Sequence, residues 1–217
     1  MKVAWSSSHG EFLISDSYFF SVLERESKKR GIEIVEIPDF EELFAYPVIV
    51  FNYSEVPFEE REIARIEAAV QEGKRVILTA HFKNLDNVVE ICNKVSERFG
   101  FRLRADEVVD ETHFTAEDPH MVVTSRIEAY RDGVKRVVFP YSASVEILRP
   151  EIRVVARGEE TARTGGGEKA PVLAAEARTA AGGSLVLCGS CLFWENQTIL
   201  REDNLTFSLN LLTGTKE

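Results

Sequence analysis

The sequence predicts an α/β fold in which helices cover both faces of a largely parallel sheet. Strand and helix signals alternate regularly over the first 100 residues. The continuous apolar runs at residues 47–52 (PVIVFN) and 75–80 (RVILTA) are typical of strands that are buried on both faces. Because parallel strands need crossover connections, this alternation favours right-handed βαβ units and a doubly wound sheet.

A short apolar run predicts the first strand, and a cluster of basic residues predicts the C-terminus of the first helix. Residues 2–6 (KVAWS) form a short apolar run, and Phe19, Val22 and Leu23 then place an apolar stripe on one helix face. The helix should end at the basic residues 28–30, because cations stabilise unpaired carbonyls and the following Gly31 accepts a positive φ. Residues 32–37 (IEIVEI) then alternate like a strand near a sheet edge.

Two further helices follow the next two strands. Pro57 suits the first turn of a helix whose buried face carries Ile63, Ile66 and Val70, and Gly73 should close it. After the strand at residues 75–80, a third helix ends before Gly100. Its predicted apolar stripe consists of Leu85, Val88, Cys92, Val95 and Phe99.

The middle of the chain changes character. Between about residues 106 and 157, short strand signals separated by turns predict a β-rich insertion or sheet edge; they lie at 121–123, 134–139, 145–148 and 152–156. Residues 163–168 (RTGGGE) predict a flexible hairpin tip. Strands at 171–177 and 184–188 and a last helix from about Asp203 complete what we expect to be a single domain over residues 1–217.

The amino-acid composition limits the classes of partner that the protein is expected to bind. The net charge of -10 is spread along the chain, which argues against nucleic acid or an anionic membrane surface as a partner. No apolar run reaches the roughly 20 residues that a membrane span needs, and the N-terminus does not read as a secretory signal. These features predict a cytoplasmic protein without direct membrane insertion. Few methionines and abundant Glu, Arg and Val indicate a thermophilic source.

Four polar stretches follow predicted strands at residues 6–11 (SSSHGE), 52–54 (NYS), 80–82 (AHF) and 188–191 (CGSC). Ligands of open parallel sheets bind beyond the carboxyl ends of the strands, so we expect these stretches to meet at one edge. The candidate ligand-binding residues are Ser8, His9, Gly10, Glu11, Asn52, His81 and Ser190.

The candidate catalytic residues are His9, Glu11 and His81. His9 and Glu11 could serve as a base and its orienting group, with Ser8 as a nucleophile. The favoured alternative is that the serines cap the next helix and His9 hydrogen-bonds its loop. His81 occupies a strand end where many α/β enzymes place a reactive side chain, but no G-x-S-x-G surrounds it, so a hydrogen-bonding role is favoured.

Cys188 and Cys191 form a C-x-x-C that could be a disulfide, a redox pair or a buried thiol pair. A structural zinc site needs about four ligands, and the remaining Cys92 lies on an apolar stripe, so we predict no metal site there. His113, Glu117, Asp118 and His120 could hold a divalent ion, but solvated loop residues are favoured because Pro119 interrupts any helical face. No phosphate-binding motif is present, and we predict no cofactor.

The chain resembles a known superfamily over nearly its full length. Residues 3–11 (VAWSSSHGE) and 15–18 (SDSY) look like that family's strand, D-x-S-H-G-E loop and following helix. The strand at 47–52, the Glu-rich helix before Gly73, and residues 187–190 with 203–204 also match. The sequence is similar to the class I glutamine amidotransferase-like superfamily, in its non-catalytic GIFT-like branch. That branch includes the N-terminal domain of an intraflagellar-transport subunit and prokaryotic gliding and ABC-transport auxiliary relatives.

The resemblance implies a flavodoxin-like sheet and an answer about catalysis. Active amidotransferases carry a cysteine after the strand that corresponds to residues 75–79, and a histidine late in the chain. Here Ala80 and His81 follow that strand, and no histidine follows His120. We therefore expect a non-catalytic domain that binds a partner protein or a small molecule, with an oligomer as an open option. The alternative is a small-molecule hydrolase that uses His9 and Glu11 as an acid-base pair.

Overall fold

The computed structural model describes residues 1–214. Its strands include four in the first part of the chain, namely β1 (Lys2–Ser6), β2 (Glu33–Ile37), β3 (Val48–Asn52) and β4 (Arg75–Thr79). The later strands are β5 (Phe101–Leu103), β6 (Val108–Val109), β7 (Phe114–Thr115), β8 (Asp118–Thr124), β9 (Val137–Pro140), β10 (Val145–Ile147), β11 (Arg153–Arg157), β12 (Arg163–Thr164), β13 (Val172–Arg178) and β14 (Ser184–Cys188). Four α-helices accompany them, α1 (Ser17–Lys29), α2 (Glu60–Gln71), α3 (Val88–Phe99) and α4 (Asn204–Thr213).

The main sheet has nine strands in the order β2-β1-β3-β4-β14-β13-β10-β5, with β11 also paired to β13. The first five strands of this order are parallel, and the remaining pairings are antiparallel. The chain leaves β1 toward β2 on one side and continues through β3 on the other, so the strand order reverses between β1 and β3. The predicted flavodoxin-like α/β fold with a largely parallel sheet is confirmed.

Helices cover both faces of the sheet because successive strand residues point to opposite sides. Phe51 and Leu78 belong to a buried cluster with the apolar stripes of α2 and α3. Val50 and Ile77, one residue earlier in each strand, belong to a second cluster with α1 and α4. The continuous apolar runs read from the sequence therefore reflect burial on both faces. No helix within residues 1–214 is long and apolar enough to span a membrane.

Helix α2 begins later than the sequence predicted. Pro57 lies outside the helix, whose N-cap is Glu59. The carboxylate of Glu62, three residues further on, accepts a hydrogen bond from the backbone N–H of Glu59 at 2.8 Å. This reciprocal cap satisfies a donor that would otherwise be unpaired and fixes the start of the helix at Glu60.

The prediction that Leu85 lies on the stripe of the third helix is wrong. Helix α3 starts at Val88, and Leu85 is an exposed residue of the preceding irregular segment. Four residues of that segment have positive φ: Lys83, Asn84, Asp86 and Asn87. A right-handed helix cannot pass through such conformations. The predicted end at Gly100, which has φ of 95°, is confirmed.

The strands of the β-rich middle belong to three sheets, one of which is the two-stranded antiparallel pair of β6 and β12. Strands β10 and β11 join the antiparallel side of the main sheet, whereas β7, β8 and β9 form a separate three-stranded sheet. The predicted strand at residues 134–139 starts only at Val137, because the backbone N–H groups of Lys135 and Arg136 donate to the side chain of Asp203. The glycine-rich segment is a tight turn, in which the N–H of Thr164 donates to the carbonyl of Glu168.

Candidate functional site

The polar loops after the parallel strands are joined to one another along the carboxyl edge of the sheet. The backbone N–H of Phe12 donates to the carbonyl of Asn52, and the N–H of Glu55 donates to the carbonyl of His9. Further along the edge, the N–H of Ala80 donates to the carbonyl of Cys188. These bonds follow from the parallel order β1-β3-β4-β14, which brings the ends of four strands to the same edge.

A chain of hydrogen bonds passes through the ring of His9. Its Nδ1 lies 2.8 Å from the hydroxyl of Ser8, and its Nε2 lies 3.1 Å from Oε2 of Glu62. An ionised carboxylate can only accept, so Nε2 donates to Glu62, and in the neutral ring Nδ1 accepts from Ser8. The hydroxyl of Ser6 continues the chain at 2.9 Å from that of Ser8. His9 is thereby held in one tautomer and one orientation.

Glu62 is the partner of His9 in this groove that the sequence did not point to. Its carboxylate is partly desolvated, which favours the neutral acid, but hydrogen bonds from the Glu59 N–H and the His9 ring outweigh this and lower the pKa of Glu62. The spacing Glu59-x-x-Glu62 is a capping-box pattern that could have revealed a carboxylate turned back toward the strand ends.

Glu11 serves the backbone of its own loop. Its carboxylate accepts from the N–H of His9 at 2.7 Å and from the hydroxyl of Ser54 at 3.0 Å, and the residue is buried. Gly10 has φ of 73°, and this left-handed turn lets Glu11 reach back to His9. The orienting partner of the His9 ring is therefore Glu62, where the sequence suggested Glu11.

The ring of His9 forms part of a groove at the point where the strand order reverses. We call it the His9 groove; it has a volume of about 450 Å³ and is lined by Ser8, His9, Pro38, Asp39, Phe40, Glu41, Val56, Pro57, Glu59, Arg61 and Glu62. These residues follow β1, β2 and β3, and doubly wound sheets bind ligands at this position. The buried ring of Phe58 packs against the ring of His9, with 4.4 Å between the two ring centroids.

The charge of the His9 groove is predominantly negative. Four carboxylates line it, from Asp39, Glu41, Glu59 and Glu62, against the single guanidinium of Arg61. Arg61 is itself paired with Glu59 at 2.8 Å. A ligand of this groove therefore meets a surplus of carboxylate.

His81 lies in different surroundings from His9. Its ring is stacked on that of Tyr141 at 5.8 Å between centroids and meets the edge of Tyr53 at 6.1 Å. Burial lowers the pKa of His81, and its Nδ1 has no hydrogen-bond partner within residues 1–214. His81 does not line the His9 groove.

Asn52 and Ser190 are enclosed side chains. Oδ1 of Asn52 accepts from the hydroxyl of Thr79 at 2.6 Å and from the indole of Trp194 at 3.1 Å. The hydroxyl of Ser190 donates to the carbonyl of Pro140 at 2.6 Å. Neither residue lines the His9 groove, and both connect neighbouring segments beneath the carboxyl edge.

Cys188 and Cys191 are free thiols that do not form a disulfide in this structure. Both are fully buried, but Cys188 packs in the cluster with α1 and α4, whereas Cys191 packs in the cluster with α2 and α3. Burial raises the pKa of Cys188 to about 12 and that of Cys191 well above its usual value. Since the thiolate is the reactive form, this environment argues against the redox pair considered from the sequence.

The histidines of the middle region have hydrogen-bonding partners. His120 lies 3.0 Å from Glu107 and 3.2 Å from Asp118, while Nδ1 of His113 lies 2.8 Å from the hydroxyl of Thr161. Within residues 1–214, no group of three or more His, Cys, Asp or Glu side chains is arranged to hold a metal ion.

The sheet order, the crossover helices and the polar groove at the strand-order reversal define a flavodoxin-like α/β protein with a groove at the carboxyl edge of its sheet. The chain belongs to the family described as a domain of unknown function, DUF4350, whose profile matches residues 17–212. An uncharacterized protein from Aquifex aeolicus (strain VF5) is 43% identical over 219 residues, which cover 98% of this chain and 93% of that protein.

Two solved structures share the fold. The mmIFT52 N-terminal domain superposes with a TM-score of 0.83 at 16% identity, covering 100% of this chain and 99% of that one. A cytoplasmic protein from Salmonella typhimurium superposes with a TM-score of 0.52 at 14% identity, covering 99% of this chain and 98% of that one. At these identities the likeness concerns the fold alone.

Proposed function

We propose that this chain is a non-catalytic binding domain whose His9 groove receives a basic segment of a partner protein. The observation that carries the proposal is the excess of carboxylates around an open groove at the ligand-binding edge of the sheet. Lysine and arginine side chains of a partner would pair with these carboxylates, and complementary charge would speed the encounter. A small basic molecule is the other ligand that this charge would accept.

The absence of an assembled nucleophile at the expected position supports a non-catalytic role. After β4, the buried Ala80 occupies the place where the resemblance puts the cysteine of active amidotransferases. Alanine has no group that could form an acyl-enzyme. The carboxylate of Glu11 accepts a hydrogen bond from the backbone of its own loop, and His81 does not line the groove that contains His9.

The fold likeness to the mmIFT52 N-terminal domain supports a place for this chain in the GIFT-like branch of the amidotransferase-like superfamily. Membership of that branch would agree with a role in protein association. A cytoplasmic location and a thermophilic source remain predictions from composition and from the N-terminal sequence.

Charge reversal at the rim of the His9 groove tests the proposal. A fluorescent peptide of alternating lysine and arginine should bind the full chain saturably in fluorescence anisotropy, and Glu41→Lys should weaken it at least tenfold. Glu41 is exposed, so the variant should fold. Glu24→Lys, at a partly exposed position of α1 outside the groove, is the matched control and should change the affinity less than twofold. Equal weakening by both variants, or no saturable binding, would overturn a basic partner for this groove.

A second candidate function is ester or amide hydrolysis, and the Ser8–His9–Glu62 hydrogen-bond chain favours it. In such a reaction the Oγ of Ser8 would bond to the carbonyl carbon while its proton passed to Nδ1 of His9. Glu62 would hold the resulting imidazolium through Nε2, and the alcohol or amine would leave with a proton from His9. After the leaving group departs, water activated by His9 would cleave the Ser8 ester, releasing the acid and restoring the serine.

Hydrolysis of p-nitrophenyl acetate separates the two candidates. The non-catalytic proposal expects wild type, Ser8→Ala and Ser7→Ala to show the same background rate. Ser7 is the matched control because it neighbours Ser8 but does not line the groove. A rate at least a hundredfold above background that is lost only in Ser8→Ala would replace the binding function with the hydrolase.

A further inference from the structure

A second pocket lies beside the start of β8 and the end of β9, separate from the His9 groove. Asp118, Tyr141, Glu195 and Arg201 contribute its polar wall, and its volume is about 170 Å³. It shares no lining residue with the His9 groove.

Glu195 is a buried residue whose carboxylate has no hydrogen-bond or ion-pair partner within residues 1–214. Only 8% of the residue is exposed. Burial raises the pKa of Glu195, since nothing nearby compensates the lost hydration of the charged form. The carboxylate oxygens of Glu195 open into the pocket, where they can accept hydrogen bonds from an external donor.

Arg201 carries the opposite charge on the same pocket. Its guanidinium donates to the carbonyl of Gln197 at 3.0 Å and lies 3.4 Å from the hydroxyl of Thr115. In the part of the chain that the structure describes, it has no carboxylate partner. The next residue, Glu202, pairs with Arg136 instead. Glu195 and Arg201 thus line one pocket without forming an ion pair with each other.

The other carboxylate of the pocket is already engaged. Asp118 accepts from the hydroxyl of Tyr141 at 2.6 Å and from the N–H of His120 at 2.9 Å. The hydrogen bond from Tyr141 is the main cause that lowers the pKa of Asp118. Asp118 therefore belongs to the fixed wall, and Glu195 is the free acceptor.

We propose that this pocket binds a small zwitterion, with its ammonium group on Glu195 and its carboxylate on Arg201. An ammonium group supplies the donors that Glu195 lacks, and a carboxylate matches the fork of the guanidinium. The pocket volume of about 170 Å³ is much smaller than the roughly 300–1,000 Å³ typical of drug-sized ligand sites, so a compact ligand is favoured. This size corresponds to an amino acid such as glycine or alanine. The proposal does not depend on the function of the His9 groove.

Titration of the ¹⁵N-labelled full chain with alanine, followed by NMR, tests the proposal. Alanine should cause saturable shifts at the backbone amides around Glu195 and Arg201. Ethylamine and acetate each carry one of the two charges, and each should bind at least tenfold more weakly than alanine. Equal binding of ethylamine would mean that the pocket takes a simple cation, and equal binding of acetate that it takes a simple anion. Either result, or no saturable shift with alanine, would overturn the proposal.

Single substitutions test which residue binds the ammonium group of alanine and which binds its carboxylate. Glu195→Gln and Arg201→Gln should each weaken alanine binding at least tenfold, while the controls outside the pocket, Glu24→Gln and Arg98→Gln, should change it less than twofold. Arg201 is exposed, so its variant keeps the test decisive if Glu195→Gln does not fold. Unchanged affinity in folded Arg201→Gln would overturn the proposed contact with the ligand carboxylate.

Discussion

Glu62 and Glu195 show how the surroundings of one residue type decide its behaviour. Glu62 receives hydrogen bonds from the His9 ring and from the Glu59 N–H, and its pKa is lowered. Glu195 receives none from residues 1–214, and its pKa is raised by burial. The first carboxylate stabilises the fold when it is ionised, whereas ionisation of the second costs stability.

Amide substitutions at these two positions should shift stability in opposite directions at pH 7. A raised pKa means that the folded state binds more protons than the unfolded state, so the cost of Glu195 appears as the pH rises above the ordinary value of 4.5. We expect Glu195→Gln to be about 1 kcal/mol more stable than wild type at pH 7, because a buried amide costs less than a buried charge. This corresponds to a Tm increase of about 2–4 °C.

Glu62→Gln provides the comparison for Glu195→Gln. The lowered pKa of Glu62 contributes stability above the ordinary value of 4.5, and this contribution is lost as the pH falls. The variant should therefore be less stable than wild type at pH 7 by about 1 kcal/mol. Both differences should shrink below pH 4 in thermal melts recorded from about pH 3 to 8. A pH-independent difference for Glu195→Gln would contradict the assigned cause.

At the scale of elements, the loop after β14 depends on close backbone contact. The N–H of Gly189 donates to the carbonyl of Leu173, and its carbonyl accepts from the N–H of Ala143. A Cβ at position 189 would lie 2.0 Å from the carbonyl oxygen of Ala143. The absence of a side chain therefore lets this loop pass the neighbouring segment.

Gly189→Ala should destabilise the protein by about 3 kcal/mol, because backbone atoms on both sides must move to admit the methyl group. Gly166→Ala is the matched control: its Cβ would find only the Thr164 hydroxyl, at 3.8 Å, and its φ is not in the left-handed region. That variant should stay within about 0.5 kcal/mol of wild type. Urea unfolding of both variants measures the difference, and equal midpoints would contradict the close approach.

Helix starts were harder to predict than helix ends. Gly31, Gly73 and Gly100 follow α1, α2 and α3 as the sequence predicted, because glycine accepts the positive φ that ends a helix. The sequence predicts the start of α2 near Pro57 and that of α3 near Leu85, whereas the helices begin at Glu60 and Val88. The reciprocal cap between Glu59 and Glu62 sets the start of α2, and the run of positive φ values before Val88 sets the start of α3. The apolar periodicity of the sequence carries no information on either feature.

At the scale of the whole molecule, the main sheet separates two large core clusters, and each of these two encloses at least one thiol. Cys92 and Cys191 lie in the cluster with α2 and α3, and Cys188 lies in the cluster with α1 and α4. All three are at most 1% exposed. A thiol reagent can reach them only when the packing opens.

The native protein should therefore resist Ellman's reagent, and all three thiols should react after denaturation in guanidinium. Burial favours the unreactive thiol form, as the raised pKa values of Cys92 and Cys188, each about 12, indicate. Lys94→Cys, at an exposed position of α3, should add one rapidly reacting thiol and serves as the positive control. A fast-reacting native thiol in the wild type would contradict the enclosed positions.

The sequence by itself determined the class of fold and the edge that carries the polar loops. Its apolar runs required strands buried on two faces, and parallel strands necessarily bring their carboxyl ends to one edge. His9 could be singled out because a polar loop follows a buried strand at residues 2–6.

Only the tertiary structure decided which side chains meet at that edge. Glu62 lies 53 residues from His9 and reaches it because α2 packs beside the loop after β1. His9 lines the groove, whereas His81 stacks on Tyr141 outside it. Cys188 and Cys191 pack on opposite faces of the sheet. Side-chain partners depend on the packing of distant segments, and spacing along the chain does not encode that packing directly.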